Sequence, residues 1–316
     1  MKKAFEKLNL RDYGVLLGFL ALCIAISIAT LSFLGKQNIL NLLRQSSIIG
    51  IISAGMTFVI ISGNFDISVG AVAALAGAIT MKFATGGTNL FASMLLGVAI
   101  CAVIGLINGI VVAKINVPSL IATMAMVTIV RGLLLMLTGG YPITENIPIL
   151  DYIGNGYLFN IPIPVVIFFI VVLVSFIVLN KTKFGRYVYS VGGNQEASKL
   201  NGINVDSHKV KVFIINAVLA GIAGIVLTGR LGTATAIAGE GYDMDAIASV
   251  VIGGTSVAGG SGSVLKTVIG VLLMSVINNS FNLLGIDVYF QYIFKGLIIL
   301  AAVGFDSYSK KKLASR

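Results

Sequence analysis

Asp66 is the residue that first raises a chemical question in this sequence. It lies inside the stretch VIISGNFDISVGAVAALAG (59–77), which is otherwise almost wholly apolar. A carboxylate close to lipid is costly, so acidic residues inside membrane segments are candidates for function by default. Three interpretations stay open: a cap for a helix end, a contact with a passing polar solute, or a proton or ion site. Gly63 and Gly70 flank Asp66 and favour a break between two short helices.

Other polar side chains also interrupt apolar stretches. Arg131 lies deep in MVTIVRGLLLML, so it must pair with another group, line a wet cavity or extend to an interface. Asp66 is one candidate partner for it. Two asparagines further along, Asn278 and Asn282, share a helical face and are expected to hydrogen-bond neighbouring helices. The candidates for a translocation path or a helix break are Asn64, Phe65, Asp66, Ser68, Arg131, Asn278 and Asn282.

An acidic stretch, GEGYDMDA (239–246), precedes a later apolar segment. Its side chains either face the outer mouth of a path or a partner protein there, or they favour the start of a helix through the helix dipole. Both interpretations stay open. The residues concerned are Glu240, Tyr242, Asp243 and Asp245.

Enzymatic chemistry finds little support in the sequence. His208 is the only histidine, which excludes a histidine-based metal site, and no G-x4-G-K-[ST] phosphate loop occurs. Cys23 and Cys101 lie within apolar segments and are interpreted as small hydrophobic residues. An intramembrane protease that pairs Asp66 with Asp243 is disfavoured, because the surrounding sequence does not match and Asp243 falls at a membrane edge. We therefore expect no catalytic residue, cofactor or metal, and we expect any ATP hydrolysis to reside in another chain.

The composition indicates which elements hold these side chains. The 316 residues are 57% hydrophobic and 11% charged, whereas a soluble domain carries about 25% charge. Lipid must therefore surround most of the chain, and lipid admits only helices or closed barrels. The sequence predicts an all-α polytopic membrane protein, a single transmembrane domain over 1–316 with about ten transmembrane helices, some of them short or broken. The apolar windows are 14–34, 46–62, 66–82, 90–113, 118–138, 162–180, 210–231, 245–259, 262–282 and 288–305.

The placement of basic residues predicts the orientation. Most of the 22 lysines and arginines fall at the two termini and in segment 181–209, whereas segment 139–161 carries none. Cytoplasmic loops carry an excess of such residues, so both termini and 181–209 are expected in the cytoplasm and 139–161 outside. Because the charge flanks apolar windows instead of forming a patch, nucleic acid is not an expected partner. The basic residues expected in loops on the outer side are Lys36, Arg44 and Lys82.

The stretch GGNQEASKLNG (192–202) carries the signals of a short helix. Asn194 can cap its N-terminus, Glu196 lies in the first turn, and Gly202 supplies the left-handed stop. A helix of about two turns is not stable alone, so something is expected to hold it. Docking of a partner protein is favoured over a solvated connector. Asp206 is expected to cap the following helix.

Three stretches resemble a known family of membrane proteins. GNFDISVG (63–70), RYVYSVGGNQEASKLNGINV (186–205) and GEGYDMDAIASVVIGGTSVAGGSGSV (239–264) are similar, in that order, to the membrane permease subunits of bacterial sugar ABC importers. The resemblance covers about 38 to 305 and is closest to the ribose permease type, a group that includes galactose, xylose and autoinducer-2 permeases. The sequence departs from the family pattern at Asn64, Phe65, Glu240 and Ser261.

The resemblance implies the fold of the larger ABC importer permeases and the import of a monosaccharide, with ribose as the best candidate. It also implies a second copy of the chain, cytoplasmic ATP-binding domains that are often fused in tandem, and an extracytoplasmic sugar-binding protein. The location implied is the bacterial cytoplasmic membrane, with several membrane passes. A stand-alone secondary transporter or channel is the alternative, and it would not need a docking helix. The residues implied for coupling to the ATPase are Gly193, Asn194, Glu196, Ala197, Leu200 and Gly202.

Overall fold

Helices account for most of the computed structural model, which describes residues 10–314. Lys2, Lys3, Lys7 and Arg316, which contribute to the predicted orientation, lie outside this range. The helices are α1 (Leu10–Ala29), α2 (Lys36–Ile61), α3 (Val69–Thr85), α4 (Leu90–Ala113), α5 (Ser119–Thr138), α6 (Pro148–Asn155), α7 (Ile163–Lys181), α8 (Lys183–Gly193), α9 (Gln195–Leu200), α10 (Val205–Leu231), α11 (Tyr242–Ile252), α12 (Val264–Leu283) and α13 (Val288–Ala314).

Two short antiparallel ladders modify the all-α prediction. Strand β1 (Ile143–Thr144) pairs with β4 (Thr233–Ala234), and β2 (Tyr157–Leu158) pairs with β3 (Ile161–Pro162). Each strand has two residues, so the ladders fix the connections around α6 without changing the helical character of the fold.

The helices separate into an inner and an outer group by their burial. In the part of the chain that is described, six helices are long and apolar enough to cross a bilayer, namely α2, α4, α5, α7, α10 and α12. In α2, 94% of the most apolar stretch is buried, against 28% in α4 and in α5. Because α4 and α5 are strongly apolar and yet mostly uncovered by protein, they suit the lipid-facing side of the bundle.

Helix α10 occupies the centre of the bundle, where it packs against α2, α3, α4 and α6. Small residues permit these close approaches. A Cβ atom on Gly105 of α4 would lie 2.6 Å from the carbonyl oxygen of Phe213, and one on Gly109 would lie 2.7 Å from the Cα of Val210. These two glycines therefore set the distance between α4 and α10.

Several predicted boundaries are wrong. Helix α2 begins at Lys36, ten residues before the predicted window, because its first turns are too polar to raise a hydropathy window. Helix α11 ends at Ile252, ahead of Gly254, whose φ of 89° is left-handed. Segment 181–209 holds a second helix, α8, besides the predicted one.

Basic residues that were expected in outer loops lie on helices. Lys36 and Arg44 belong to α2, and Lys82 belongs to α3. Arg44 is buried, donates a hydrogen bond of 3.1 Å to the carbonyl oxygen of Asn155, and stands 4.9 Å from the centre of the Tyr157 ring. A carbonyl and an aromatic face thus pair with part of the guanidinium, while its buried Nε has no hydrogen-bond partner within the described structure.

Candidate functional site

The chain between α2 and α3, residues 62–68, is not helical, and Asp66 lies at its centre. Asp66 is 1% exposed. Its carboxylate accepts hydrogen bonds from the backbone N–H of Ser68 at 2.9 Å, from the Ser68 hydroxyl, and from the Asn216 amide of α10 at 2.9 Å. Asp66 therefore orders the turn that enters α3 and ties it to α10, but it does not cap α3, whose N-cap residue Ser68 has no side-chain cap bond.

Side chains from two further helices hold the same segment. The Asn108 amide of α4 donates to the Ser68 hydroxyl at 3.1 Å. The backbone N–H groups of Phe65 and Ile67 donate to hydroxyls at the start of α5, at 3.1 and 3.2 Å. An irregular segment can lie at membrane depth only if such partners satisfy its backbone. Asn108 and Asn216 were missed from the sequence, although an amide inside an apolar helix was a usable signal.

Asn64 and Phe65, two of the residues that depart from the family pattern, have different environments. Asn64 is buried, and its amide donates to the backbone oxygen and hydroxyl of Ser62, both at 3.1 Å. Phe65 is only partly buried and packs against the hydrophobic core. Asn64 therefore helps to fold the segment itself, whereas Phe65 keeps part of its ring accessible.

A cavity of about 660 Å³ opens beside the start of α3. Ile67 and Gly70 form one wall, and α5 contributes Arg131. A second wall is the segment between β4 and α11 together with the first turn of α11, which brings Glu240 and Asp243. The cavity thus unites one basic and two acidic residues that lie about a hundred positions apart in sequence.

Arg131 pairs with backbone carbonyls and not with Asp66. Its guanidinium donates to the carbonyl oxygen of Ala236, and to that of Ala238 at 3.0 Å. The candidate pairing with Asp66 is wrong, because the buried Asp66 carboxylate is bonded to Ser68 and Asn216 instead. Arg131 therefore anchors the segment between β4 and α11 to α5 while it lines the cavity.

Arg131→Met is expected to release this segment, because methionine has a similar length and donates no hydrogen bond. Loss of the donor leaves two partly buried carbonyl oxygens without this partner, at a cost of at most about 1–3 kcal/mol. Hydrogen exchange is expected to become faster for the backbone amides of 236–242. Lys82→Met, an exposed site on α3, is the matched control and should leave this exchange unchanged. Unchanged exchange at 236–242 in the Arg131 variant would contradict the anchoring role.

The acidic stretch divides into cavity residues and a buried residue. Glu240 is exposed, and Tyr242 and Asp243 are partly buried. Asp245 is 3% exposed and lies 3.1 Å from the Lys295 ammonium of α13. Because Asp245 faces α12 and α13, it has no free surface for a partner protein.

The asparagines near the end of α12 hold neighbouring elements. Asn278 donates to Asp245 of α11 at 3.3 Å, and Asn282 accepts from Gln291 of α13 at 3.2 Å. Between them, Asn279 exchanges two amide hydrogen bonds with Asn38 of α2. These contacts are interhelical, as the sequence predicts, and none of these asparagines lines the cavity.

Helix α9 follows α8 directly, with Asn194 between the two helices. The Asn194 side chain accepts from the backbone N–H of Ala197 at 2.9 Å, and Gly202 is left-handed with a φ of 78°. The Ser190 and Ser198 hydroxyls, 2.8 Å apart, tie α9 to α8. The side chains expected to contact an ATPase are exposed, and those residues are Gly193, Asn194, Glu196, Ala197, Leu200 and Gly202.

The helix after α9 has a cap that differs from the predicted one. The Asn204 side chain accepts from the backbone N–H of Ser207 at 3.0 Å, and Asn204 immediately precedes α10. Asp206, the predicted cap, lies in the first turn instead. The helix starts two residues earlier than the sequence signal suggests, so the first suitable side chain takes the capping position.

Comparison with known proteins shows which family has this architecture. Residues 38–303 match the family described as the permease component of the branched-chain amino acid transport system. The chain belongs to this permease family. It is a polytopic membrane protein of mostly helical structure. No solved structure matches the chain significantly.

Individual members of the permease family are similar over almost their whole length. The ribose import permease protein RbsC of Haemophilus influenzae is 44% identical over 303 residues, which cover 93% of this chain and 94% of the relative. RbsC of Bacillus subtilis is 42% identical, with 94% and 93% covered. The xylose transport system permease protein XylH of Haemophilus influenzae is 34% identical, with 98% and 99% covered.

Proposed function

We propose that this chain is the membrane permease of an ATP-binding-cassette importer that moves ribose into the cell across the bacterial inner membrane. The observation that carries the proposal is the near full-length similarity to proteins named ribose import permeases, at 42–44% identity. The permease itself is a non-catalytic subunit. Its partners are a second copy of the chain, ATP-binding subunits and an extracytoplasmic sugar-binding protein.

The orientation proposed places α8 and α9 in the cytoplasm and α6 outside, with both termini cytoplasmic. The density of lysine and arginine around α8 and α9 supports it, because cytoplasmic segments carry such an excess. Helix α10 joins the two ends and has 27 residues, about 40 Å at 1.5 Å per residue, which is enough to separate them by a bilayer core.

Helix α9 is the proposed contact for the ATP-binding subunit. The hydrogen bond between Ser190 of α8 and Ser198 of α9 holds the helix against the permease. Glu196 and Leu200 are exposed to solvent. Leu200 is 89% exposed, which is unusual for an apolar side chain on a capped and ordered helix outside the apolar spans. A partner surface that covers Leu200 would remove this exposure.

We propose that the cavity forms part of the path that the sugar takes through the permease. Glu240 and Asp243 offer carboxylate oxygens to sugar hydroxyls, and Arg131 keeps their segment in place. The segment containing Asn64, Phe65, Asp66 and Ser68 forms its support, with Phe65 closest to an open surface. Asn278 and Asn282 act at a distance from the path, by joining α12 to α11 and α13.

Reconstitution tests the proposed function directly. The full-length permease, copurified with its ATPase from native membranes and supplied with its sugar-binding protein, is expected to take up radiolabelled ribose into proteoliposomes only with ATP. Unlabelled ribose should compete more strongly than xylose or arabinose. Uptake driven by an ion gradient without any ATPase would contradict the importer and favour a stand-alone transporter. ATP-driven uptake of xylose in preference to ribose would contradict the substrate alone.

A further inference from the structure

Three segments far apart in sequence meet backbone to backbone next to α9. The backbone N–H of Gly260, in the turn between α11 and α12, donates to the carbonyl oxygen of Ile61 at the end of α2 at 2.8 Å. Gly192, in the last turn of α8, lies against both: a Cβ there would overlap the Ile61 carbonyl oxygen and come within 2.8 Å of the Gly260 nitrogen. We call this contact of residues 61–63, 192–193 and 259–262 the glycine junction.

A second layer of contacts reinforces the glycine junction. A Cβ on Gly259 would lie 2.8 Å from the carbonyl oxygen of Gly192 and 3.0 Å from the Cα of Gly63. The Tyr189 hydroxyl of α8 donates to the carbonyl oxygen of Gly262 at 3.0 Å. Burial raises the pKa of the Tyr189 phenol, so the group stays protonated and able to donate.

The junction joins the exposed docking helix to both walls of the cavity. On one side, α8 is bonded to α9 through Ser190 and Ser198. On a second side, Ile61 continues through the Asp66 turn to the cavity residues at the start of α3. On the third side, the turn that contains Gly260 follows α11, whose first turn brings Asp243 to the second wall.

Backbone contact of this kind is suited to transmit movement. A side chain between two elements can change its rotamer and absorb a small displacement, whereas two main chains in van der Waals contact must move together. Coupling between distant sites requires such contiguous packed elements, and its strength is a matter for measurement. At the Gly192–Ile61 contact, no side chain separates α8 from the end of α2.

We infer that the glycine junction transmits the movement of the docked ATPase from α8 and α9 to the two walls of the sugar cavity. Gly192 and Tyr189 are the positioning residues in this route. The inference rests on the proposed function, because it requires an ATPase at α9. The inference goes beyond the proposed function by naming the glycine junction as the place where the movement passes both to the start of α3 and to α11.

The test replaces Gly192 in the full complex of permease, ATPase and binding protein. Gly192→Ala pushes α8 away from Ile61, so we expect the ATPase to remain bound while ribose taken up per ATP hydrolysed falls about tenfold, within the usual range of coupling between linked sites. Gly132→Ala is the matched control: Gly132 is also helical, but its Cβ would meet nothing within 4 Å among the described residues. Gly132→Ala should take up as much ribose per ATP hydrolysed as the wild type.

Tyr189→Phe keeps the test decisive if Gly192→Ala does not fold. It removes only the hydrogen bond to Gly262, and we expect uptake per ATP to fall about fivefold, the ratio that corresponds to one hydrogen bond. The inference is overturned if Gly192→Ala folds, binds the ATPase and takes up as much ribose per ATP hydrolysed as the wild type. If Gly192→Ala does not fold, the same result for Tyr189→Phe overturns it. Failure of the wild-type permease to retain the ATPase would refute the proposed function as well, so the two failures are distinguishable.

Discussion

Asp66→Ala is expected to remove most of the folded protein from the membrane fraction. The substitution leaves the Ser68 N–H and the Asn216 amide without their acceptor in a fully buried place. Each stranded donor costs about 1–3 kcal/mol, so the loss of about 2–6 kcal/mol is a large part of the stability of a typical domain. Fluorescence-detected size exclusion in detergent, with a thermal ramp, measures the folded fraction and its midpoint.

Two further variants separate the role of Asp66 in folding from a role in the path. Asp206→Ala removes an exposed carboxylate and is expected to change stability by less than about 0.5 kcal/mol. Asp66→Asn is expected to fold better than Asp66→Ala. Its amide can still accept from Ser68, and it can donate to the Asn216 oxygen, which accepts no hydrogen bond within the described structure. Full folded yield of Asp66→Ala together with lost transport would contradict the role of Asp66 in folding.

Glu196→Lys is expected to release the ATPase while the permease stays folded. Glu196 is exposed on α9, so the substitution disturbs no internal contact, whereas a charge reversed at a docked interface faces like charge at a cost of several kcal/mol. Retention of the ATPase on the purified permease should fall at least about tenfold, the factor that corresponds to 1.4 kcal/mol. Quantitative copurification at matched permease amounts measures it.

The control for Glu196→Lys is the same charge reversal at the opposite end of α10. Glu145 is exposed beside β1, near Gly232 at the end of α10. Glu145→Lys should retain the ATPase as the wild type does. Equal retention in both variants would remove α9 from the ATPase interface, and a loss in both would point to a general effect of charge on assembly.

The short helix α9 shows how far local signals reach. Asn194, Glu196 and Gly202 predicted its start, first turn and end, and the structure has the cap bond and the left-handed glycine at those positions. A cap forms between residues three positions apart, so the neighbouring sequence contains all of the information. The same local information misjudged the start of α10, because Asn204 and Asp206 are both suitable caps, and in the structure Asn204 caps the helix while Asp206 lies in its first turn.

The sequence by itself determined that this protein is a mostly helical membrane protein and which family it belongs to, whereas several of its helix boundaries were predicted wrongly. Hydropathy acts over one segment at a time, and a chain with 57% hydrophobic residues has few ways to fold outside lipid. The tertiary structure alone decided which polar groups meet. Asp66 binds Asn216, Arg131 binds the carbonyl of Ala238, and Gly192 contacts Ile61. These partners lie roughly a hundred or more positions apart, and their pairing depends on how whole helices pack, which no local pattern specifies.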